Sequence, residues 1–407
     1  MIENGHNLPL LVLLIGLAVM AGVLVKAALS RTMIPPLVGY LCLGGLLKVL
    51  DLHLGFMSEP FAMVFEFLGK IGVIVLLFEV GLESNLVELI RQLRRASVCW
   101  IGDITVSALL GFAAARFLLG FGVIPSLVVG CALTATSVGV SVAVWRRWKA
   151  LDSRQGSLLV DIAELDDISA IVLMALLFSL LPMLRQGEFA YTQIATTAGV
   201  FALKLAALCL MCYLFYRYVE RRLSSFFQRI CPMASFTLVV AAVGFVIASM
   251  AGLLGFSLAI GAFFAGLVFS RDPKAVRIEG AFQPIYELFV PFFFIAIGMR
   301  IEPTAMGSAV LPGLGLFAAA VVSKAVGAGG PVMALENWKS FLLIGASMAP
   351  RAEITMIVTE QALSLGEWAM PPEVYGALVL VSAATCLTAP AAVNKLLELY
   401  PPDKETA

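Results

Sequence analysis

Apolar residues in this chain run in unbroken stretches of about twenty, without the strict alternation that marks a half-buried strand. A helix needs about 20 apolar residues to cross the hydrocarbon core of a bilayer. Only helices and closed barrels cross it without leaving backbone groups unpaired, and barrel strands would alternate. The pattern therefore predicts an all-α polytopic membrane protein. Spans are expected near 8–27, 34–49, 61–81, 97–117, 122–144, 156–182, 193–219, 234–251, 253–270, 281–299, 306–329, 339–361 and 374–396, about thirteen helices. The second is short, and only Ala251-Gly252 separates the eighth from the ninth.

Composition agrees. Of 407 residues, 61% are hydrophobic and 13% charged, against roughly 25% charged in soluble proteins. No polar stretch is long enough for a soluble domain. Formal net charge is zero, so no bulk field favours nucleic acid. Seven cysteines lack metal-ligand spacing and there are two histidines, so neither a zinc site nor a cofactor is expected. The N-terminus lacks the basic region and cleavage site of a signal peptide, and the first apolar run is expected to be retained. With the N-terminus outside, the cytoplasmic segments carry nineteen basic residues, among them Arg91, Arg94, Arg95, Arg146, Arg147 and Lys149. The opposite side carries four: Lys48, Arg116, Arg185 and Arg300. This asymmetry predicts an odd number of spans, N-terminus out and C-terminus cytoplasmic.

The charges left inside spans narrow the function. Bases there are Lys70, Lys204, Lys324 and Arg351; acids inside spans or at their ends include Glu66, Glu79, Asp103, Asp161, Glu164, Asp166, Asp167, Glu287, Glu353 and Glu360. Each charge near the bilayer centre costs ~2.5–3.5 kcal/mol on insertion scales. Such charges must be paired, hydrated or used.

The densest cluster is in the sixth span, Asp161-Ile-Ala-Glu164-Leu-Asp166-Asp167-Ile-Ser169. Asp161, Glu164 and Asp167 share roughly one helix face. Asp166 points about 100° away from Asp167. Acids favour helix N-termini, which accounts for Asp161 and partly for Glu164. It accounts poorly for Asp166 and Asp167, about ten residues into the span. A carboxylate in a partly dry cavity either holds a proton, because desolvation disfavours its charge, or offers hard oxygen ligands to a cation. The two occupants exclude one another, and that exclusion is the coupling an exchanger needs.

Three further features bear on this. Lys324, late in the eleventh span, either snorkels to the surface or pairs with an acid, for which the sixth span offers candidates. The twelfth span contains Pro350-Arg351-Ala352-Glu353. The proline removes a helical donor, giving either a broken helix whose half-ends bind charge or an ordinary kink with a local Arg–Glu pair. The fifth span carries Thr134-Ala-Thr136-Ser137-Val-Gly139, where small hydroxyl residues also serve helix packing.

Together these motifs resemble the monovalent cation:proton antiporter superfamily, in its branch of bacterial Na⁺/H⁺ antiporters and K⁺/H⁺ exchangers. Phe78-Glu79-Val80-Gly81-Leu82-Glu83, the Thr134–Ser141 segment, Ala163-Glu164-Leu165-Asp166-Asp167, Gly255 to Leu267, Ser323-Lys324 and Pro350 to Glu353 match its elements in order. The resemblance implies an inverted-repeat fold with two crossing discontinuous helices. Residues 97–182 and 306–396 would form a moving core, and residues 1–96 and 193–299 a scaffold through which a homodimer forms. Asp167 would bind the monovalent cation or protons, and Asp166 would pair with Lys324. Thr136, Ser137, Arg351 and Glu353 would serve the crossing, with Glu164 and Glu79 as possible accessories. A double aspartate with this lysine goes with electrogenic exchange, nominally two protons per cation.

The chain departs from the pattern at Ala352, which replaces a glycine, at Glu164 and at Lys70. Lys70 is placed to pair with Glu66. With the sequence ending at Ala407, no nucleotide gating is expected. The expected activity is therefore Na⁺ or Li⁺ exchange for protons in a bacterial inner membrane, with K⁺/H⁺ exchange as the alternative. A cation channel would not need an Asp166–Lys324 pair, and an organic-anion symporter would put bases at the crossing. No feature suggests an enzyme.

Overall fold

The computed structural model describes residues 7–84, 86–186, 191–230, 233–270 and 275–401. Among the described residues every regular element is helical. In chain order these are α1 (Asn7–Leu29), α2 (Pro36–Leu54), α3 (Glu59–Glu83), α4 (Leu86–Ala113), α5 (Val123–Ala132) and α6 (Val138–Arg147). Then come α7 (Arg154–Arg185), α8 (Tyr191–Leu214), α9 (Arg221–Ile230), α10 (Met233–Leu253), α11 (Leu258–Phe269) and α12 (Ala275–Met299). The last five are α13 (Pro303–Lys324), α14 (Gly330–Leu335), α15 (Trp338–Ser347), α16 (Glu353–Leu365) and α17 (Pro372–Leu399). Single π-helical turns at Ala114–Leu118, Phe215–Glu220 and Ala325–Gly329 extend α4, α8 and α13.

Ten helices among the described residues are long and apolar enough to cross a membrane, and α5 and α11 are shorter apolar helices. The expected fifth span is not one helix. It is α5 and α6, separated by residues 133–137. The expected twelfth is α15 and α16, separated by residues 348–352 around Pro350. The expected ninth span begins later than its apolar run. Gly255, at φ +88°, turns the chain after α10, and Ser257 caps α11 by accepting from the Ile260 amide at 3.4 Å. This turn replaces the expected boundary at Ala251-Gly252. The sixth span starts at Arg154 rather than Gly156, because Ser153 accepts from the Gly156 amide and caps the helix there.

The chain divides into two compact units. The first draws on residues 1–26, 40–87 and 190–299. In it α3 packs on α11 and α12, and α10 on α11. Small residues bring these helices together. A Cβ added at Gly81 would overlap the Phe263 carbonyl oxygen of α11, and one at Gly266 the Phe78 carbonyl oxygen of α3. Such close backbone approach is the usual mode of helix packing in membranes. Aromatic rings fill the remaining space, as where Phe65 meets Phe292 edge-on at 5.7 Å between centroids.

The second unit draws on residues 27–39, 88–189 and 300–407. Here α13 packs on α17, α5 on α7 and α16, and α6 on α17. Its apolar core includes Trp145, Leu159, Ile162, Ile344, Met348 and Val393. This unit holds both discontinuous helices and the double aspartate.

Candidate ion site at the crossing of two broken helices

A helix that stops inside a membrane leaves several amides or carbonyls without intrahelical partners, and they must be satisfied locally. The two breaks satisfy each other. The Ser137 amide donates to the Pro350 carbonyl at 2.9 Å. Thr355, in the first turn of α16, donates its hydroxyl to the Ala132 carbonyl at the end of α5 at 2.8 Å. Ser141, in the first turn of α6, donates to the Ser347 carbonyl at the end of α15 at 2.7 Å. Each half-helix that starts at the crossing thus closes the end of the half-helix that stops opposite it.

Two buried bases complete this arrangement. Arg351, with no exposed surface, donates to the carbonyls of Ala135 at 2.5 Å and Thr134 at 3.4 Å. Its own amide donates to the Thr385 hydroxyl at 3.0 Å, which ties the second break to α17. Positive charge at a helix C-terminus is favourable, and Arg351 supplies it just beyond α5. Lys324 supplies more: its ammonium donates to the Thr134 carbonyl at 2.6 Å. With no exposed surface, Lys324 does not snorkel. A π-helical turn begins at the next residue, Ala325. Single π-helical turns within α-helices are frequent at functional sites.

The lysine's remaining donors go to carboxylates, and there are two of them. Asp166 of α7 accepts at 3.1 Å and Asp103 of α4 at 2.5 Å. All three side chains have zero exposure. Reasoning from sequence gave Asp166 a role and counted Asp103 among the acids inside spans without giving it one. The available signal was a lone aspartate in an otherwise apolar span, Trp100-Ile-Gly-Asp103-Ile-Thr. The two outer oxygens, Asp103 Oδ1 and Asp166 Oδ1, are buried without a hydrogen-bond partner.

Asp167 follows Asp166 on α7 but faces elsewhere. It is half-buried, as is Glu164 one turn earlier, while Asp161 is buried. Thr136, in the first break, is buried and its hydroxyl is without a partner. Ser137 is buried as well, and its hydroxyl donates to the carboxylate of Glu353, the first residue of α16. Ala352, in the second break, has φ −141°, outside the left-handed region that favours glycine. Glu79 is buried on α3 in the first unit, and the contacts described for the crossing do not include it. Lys70 pairs with Glu66 at 2.7 Å on the same helix.

The arrangement presents oxygen ligands of three kinds within one unit: carboxylates on α7, hydroxyls in the first break and carbonyls at helix ends. Hard oxygen donors suit a desolvated alkali cation, and the carboxylates accept protons as readily.

Comparison with known proteins agrees with this chemistry. A model of the transmembrane sodium/hydrogen exchanger family matches residues 15–398. The high-affinity Na⁺/H⁺ antiporter NhaS3 of Synechocystis is 28% identical over 348 residues, covering 82% of this chain and 72% of that protein. The Na⁺/H⁺-K⁺ antiporter GerN of Bacillus cereus is 30% identical over 328 residues, covering 79% and 81%. The structure of the sodium proton antiporter MjNhaP1 from Methanocaldococcus jannaschii matches with a TM-score of 0.74 at 16% identity, over 96% of this chain and 98% of that one. The helical architecture is thus that of a solved antiporter, and the resemblance read from the motifs holds across the chain. This multi-pass membrane protein belongs to the sodium/hydrogen exchanger family.

Proposed function

We propose that the protein is a secondary active antiporter that exchanges a monovalent cation, Na⁺ or Li⁺, for protons by alternating access. The observation that carries this reading is the aspartate pair on α7 beside two helix breaks that satisfy each other's ends. Asp167 is the exchange site, where a proton and a cation compete for one carboxylate. Asp166 adjoins it and is charge-paired to Lys324. Thr136 and Ser137 lend neutral oxygens, and Arg351 and Glu353 balance the half-helix ends. Glu164, one turn from Asp167, adds negative charge on the approach.

The second unit acts as the moving core. The first acts as the scaffold, through which a homodimer forms in a bacterial inner membrane, N-terminus outside and C-terminus cytoplasmic. If two protons move per cation, each cycle carries one net charge, worth ~2.3 kcal/mol per 100 mV. The inward-negative potential then helps expel Na⁺.

The test is reconstitution in proteoliposomes with a pH dye inside. Adding Na⁺ or Li⁺ is expected to drive proton movement that saturates with cation concentration. No proton movement with Na⁺, Li⁺ or K⁺ overturns the reading. Response to K⁺ alone keeps the exchange mechanism and reassigns the cation. Asp167→Asn is expected to abolish exchange, and full exchange in that variant removes Asp167 from the site.

A further inference from the structure

We infer that Asp103 is a positioning residue: it anchors Lys324, so that Asp166 is the lysine's secondary partner and can turn toward a cation at Asp167. The inference deepens the antiport reading and rests on it for its functional consequence.

The geometry comes first. An ammonium has three donors, and those of Lys324 go to Asp103 at 2.5 Å, the Thr134 carbonyl at 2.6 Å and Asp166 at 3.1 Å. The carboxylate from α4 is thus closer than the one from α7. Charge-assisted N–H···O bonds are strong near 2.7–2.9 Å and weaken beyond. Asp166 makes the longest of the three contacts.

Charge balance comes second. Asp103, Asp166, Lys324 and Arg351 all have zero exposure, and ionised they sum to zero. Without Asp103 the same set would carry two bases and one acid. Turning Asp166 to a cation would then leave the ammonium with no carboxylate, and an unpaired charge in a dry interior is costly. With Asp103 in place, the ammonium keeps a carboxylate whichever way Asp166 faces.

The mounting comes third. A Cβ at Gly327, in the π-helical turn, would lie 2.9 Å from the Asp103 Cα and from the Gly102 carbonyl oxygen. The backbones of α4 and the chain just after Lys324 therefore touch beside the pair. One turn along α4, the Ser107 hydroxyl donates to that of Ser323 at 3.5 Å. Asp103 and Lys324 are fastened to each other through backbone and side chain. Asp166 reaches them from α7, the helix that also carries Asp167.

Two measurements test this. The first is independent of transport: double-mutant cycles of thermal unfolding in detergent, combining Lys324→Gln with Asp103→Asn and with Asp166→Asn. The coupling of Lys324 to Asp103 is expected to exceed its coupling to Asp166. An equal or smaller coupling overturns the anchor, whether or not the protein proves to be an antiporter. The second is Na⁺-dependent proton exchange by Asp103→Asn. Deprived of its anchor, Lys324 holds Asp166 more firmly. KM for Na⁺ is expected to rise on the order of tenfold, while kcat changes by less. Asp103→Glu, which keeps the charge, is expected to restore part of the affinity. An unchanged KM, or a fall confined to kcat, overturns the positioning role. An inactive wild-type protein overturns the antiport reading instead, and the unfolding cycles still decide the anchor.

Discussion

The two compact units differ in the ion pairs they bury. In the first, the ion pairs described lie on helix faces that the protein leaves uncovered: Lys26–Glu287 with side chains 41% and 39% exposed, and Lys70–Glu66 with 67% and 43%. Its interior is packed by glycine contacts and rings, and Glu79 of α3 is a buried acid there. In the second, Lys324 pairs with two acids at zero exposure, and Arg351 is buried with them. An apolar interior packed through small residues gains nothing from a buried charge and loses insertion free energy by it. The second unit keeps four of them beside two helix breaks, paired with one another and with helix-end carbonyls. The contrast separates a unit packed through small residues from a unit that buries paired charge at two helix breaks.

The largest effect should come from removing the base that several buried groups share. Lys324→Met leaves Asp103, Asp166 and the Thr134 carbonyl without their common donor. Breaking a buried pair at one partner costs about 3–5 kcal/mol. A marked drop in the melting temperature of the purified protein is the expected outcome, with loss of exchange. A melting temperature within a degree of wild type would mean that the buried cluster is not held by its charges, and the contrast between the units would fail.

Next in size is the opposite unit's own device. Gly81→Val puts side-chain atoms where the Phe263 carbonyl oxygen already sits. Overpacking typically costs about 1–3 kcal/mol, and the clash here is with backbone. Lower stability is expected, while the KM for Na⁺ of the protein that remains folded stays near wild type. A changed KM with stability unaltered would show that the first unit takes part in cation binding.

Much of this contrast was legible in the sequence, because run length, breaks and stray charges are local features. Pro350 and the Thr134–Ser137 segment marked the two breaks. Lys324 stood out as a base needing a partner. What could not be read was distance between spans. Asp103 and Lys324 lie 221 positions apart, and a single aspartate has no periodicity to say which way it faces. The hydroxyls of Ser141 and Thr355 look like ordinary packing residues until the carbonyls of Ser347 and Ala132 appear opposite them. The start of the ninth span was misplaced for the converse reason: its apolar run continued through Gly255, and only the positive φ there shows the turn.

The smallest predicted effect is the most discriminating for Lys70. Read from sequence it was an unusual charge within a span, placed to pair with Glu66. In the structure its side chain is 67% exposed beside Glu66, four residues earlier on α3. Both residues lie within the apolar helix α3, on its outer face, so the pairing offsets part of the cost of carrying each charge there. Lys70→Gln is expected to lower the melting temperature by less than Lys324→Met does and to leave exchange near wild type. A loss of exchange comparable to that of a Lys324 variant would show that burial does not separate functional charges from structural ones here. Lys70 would then have to be reckoned with the ion pathway despite its exposure.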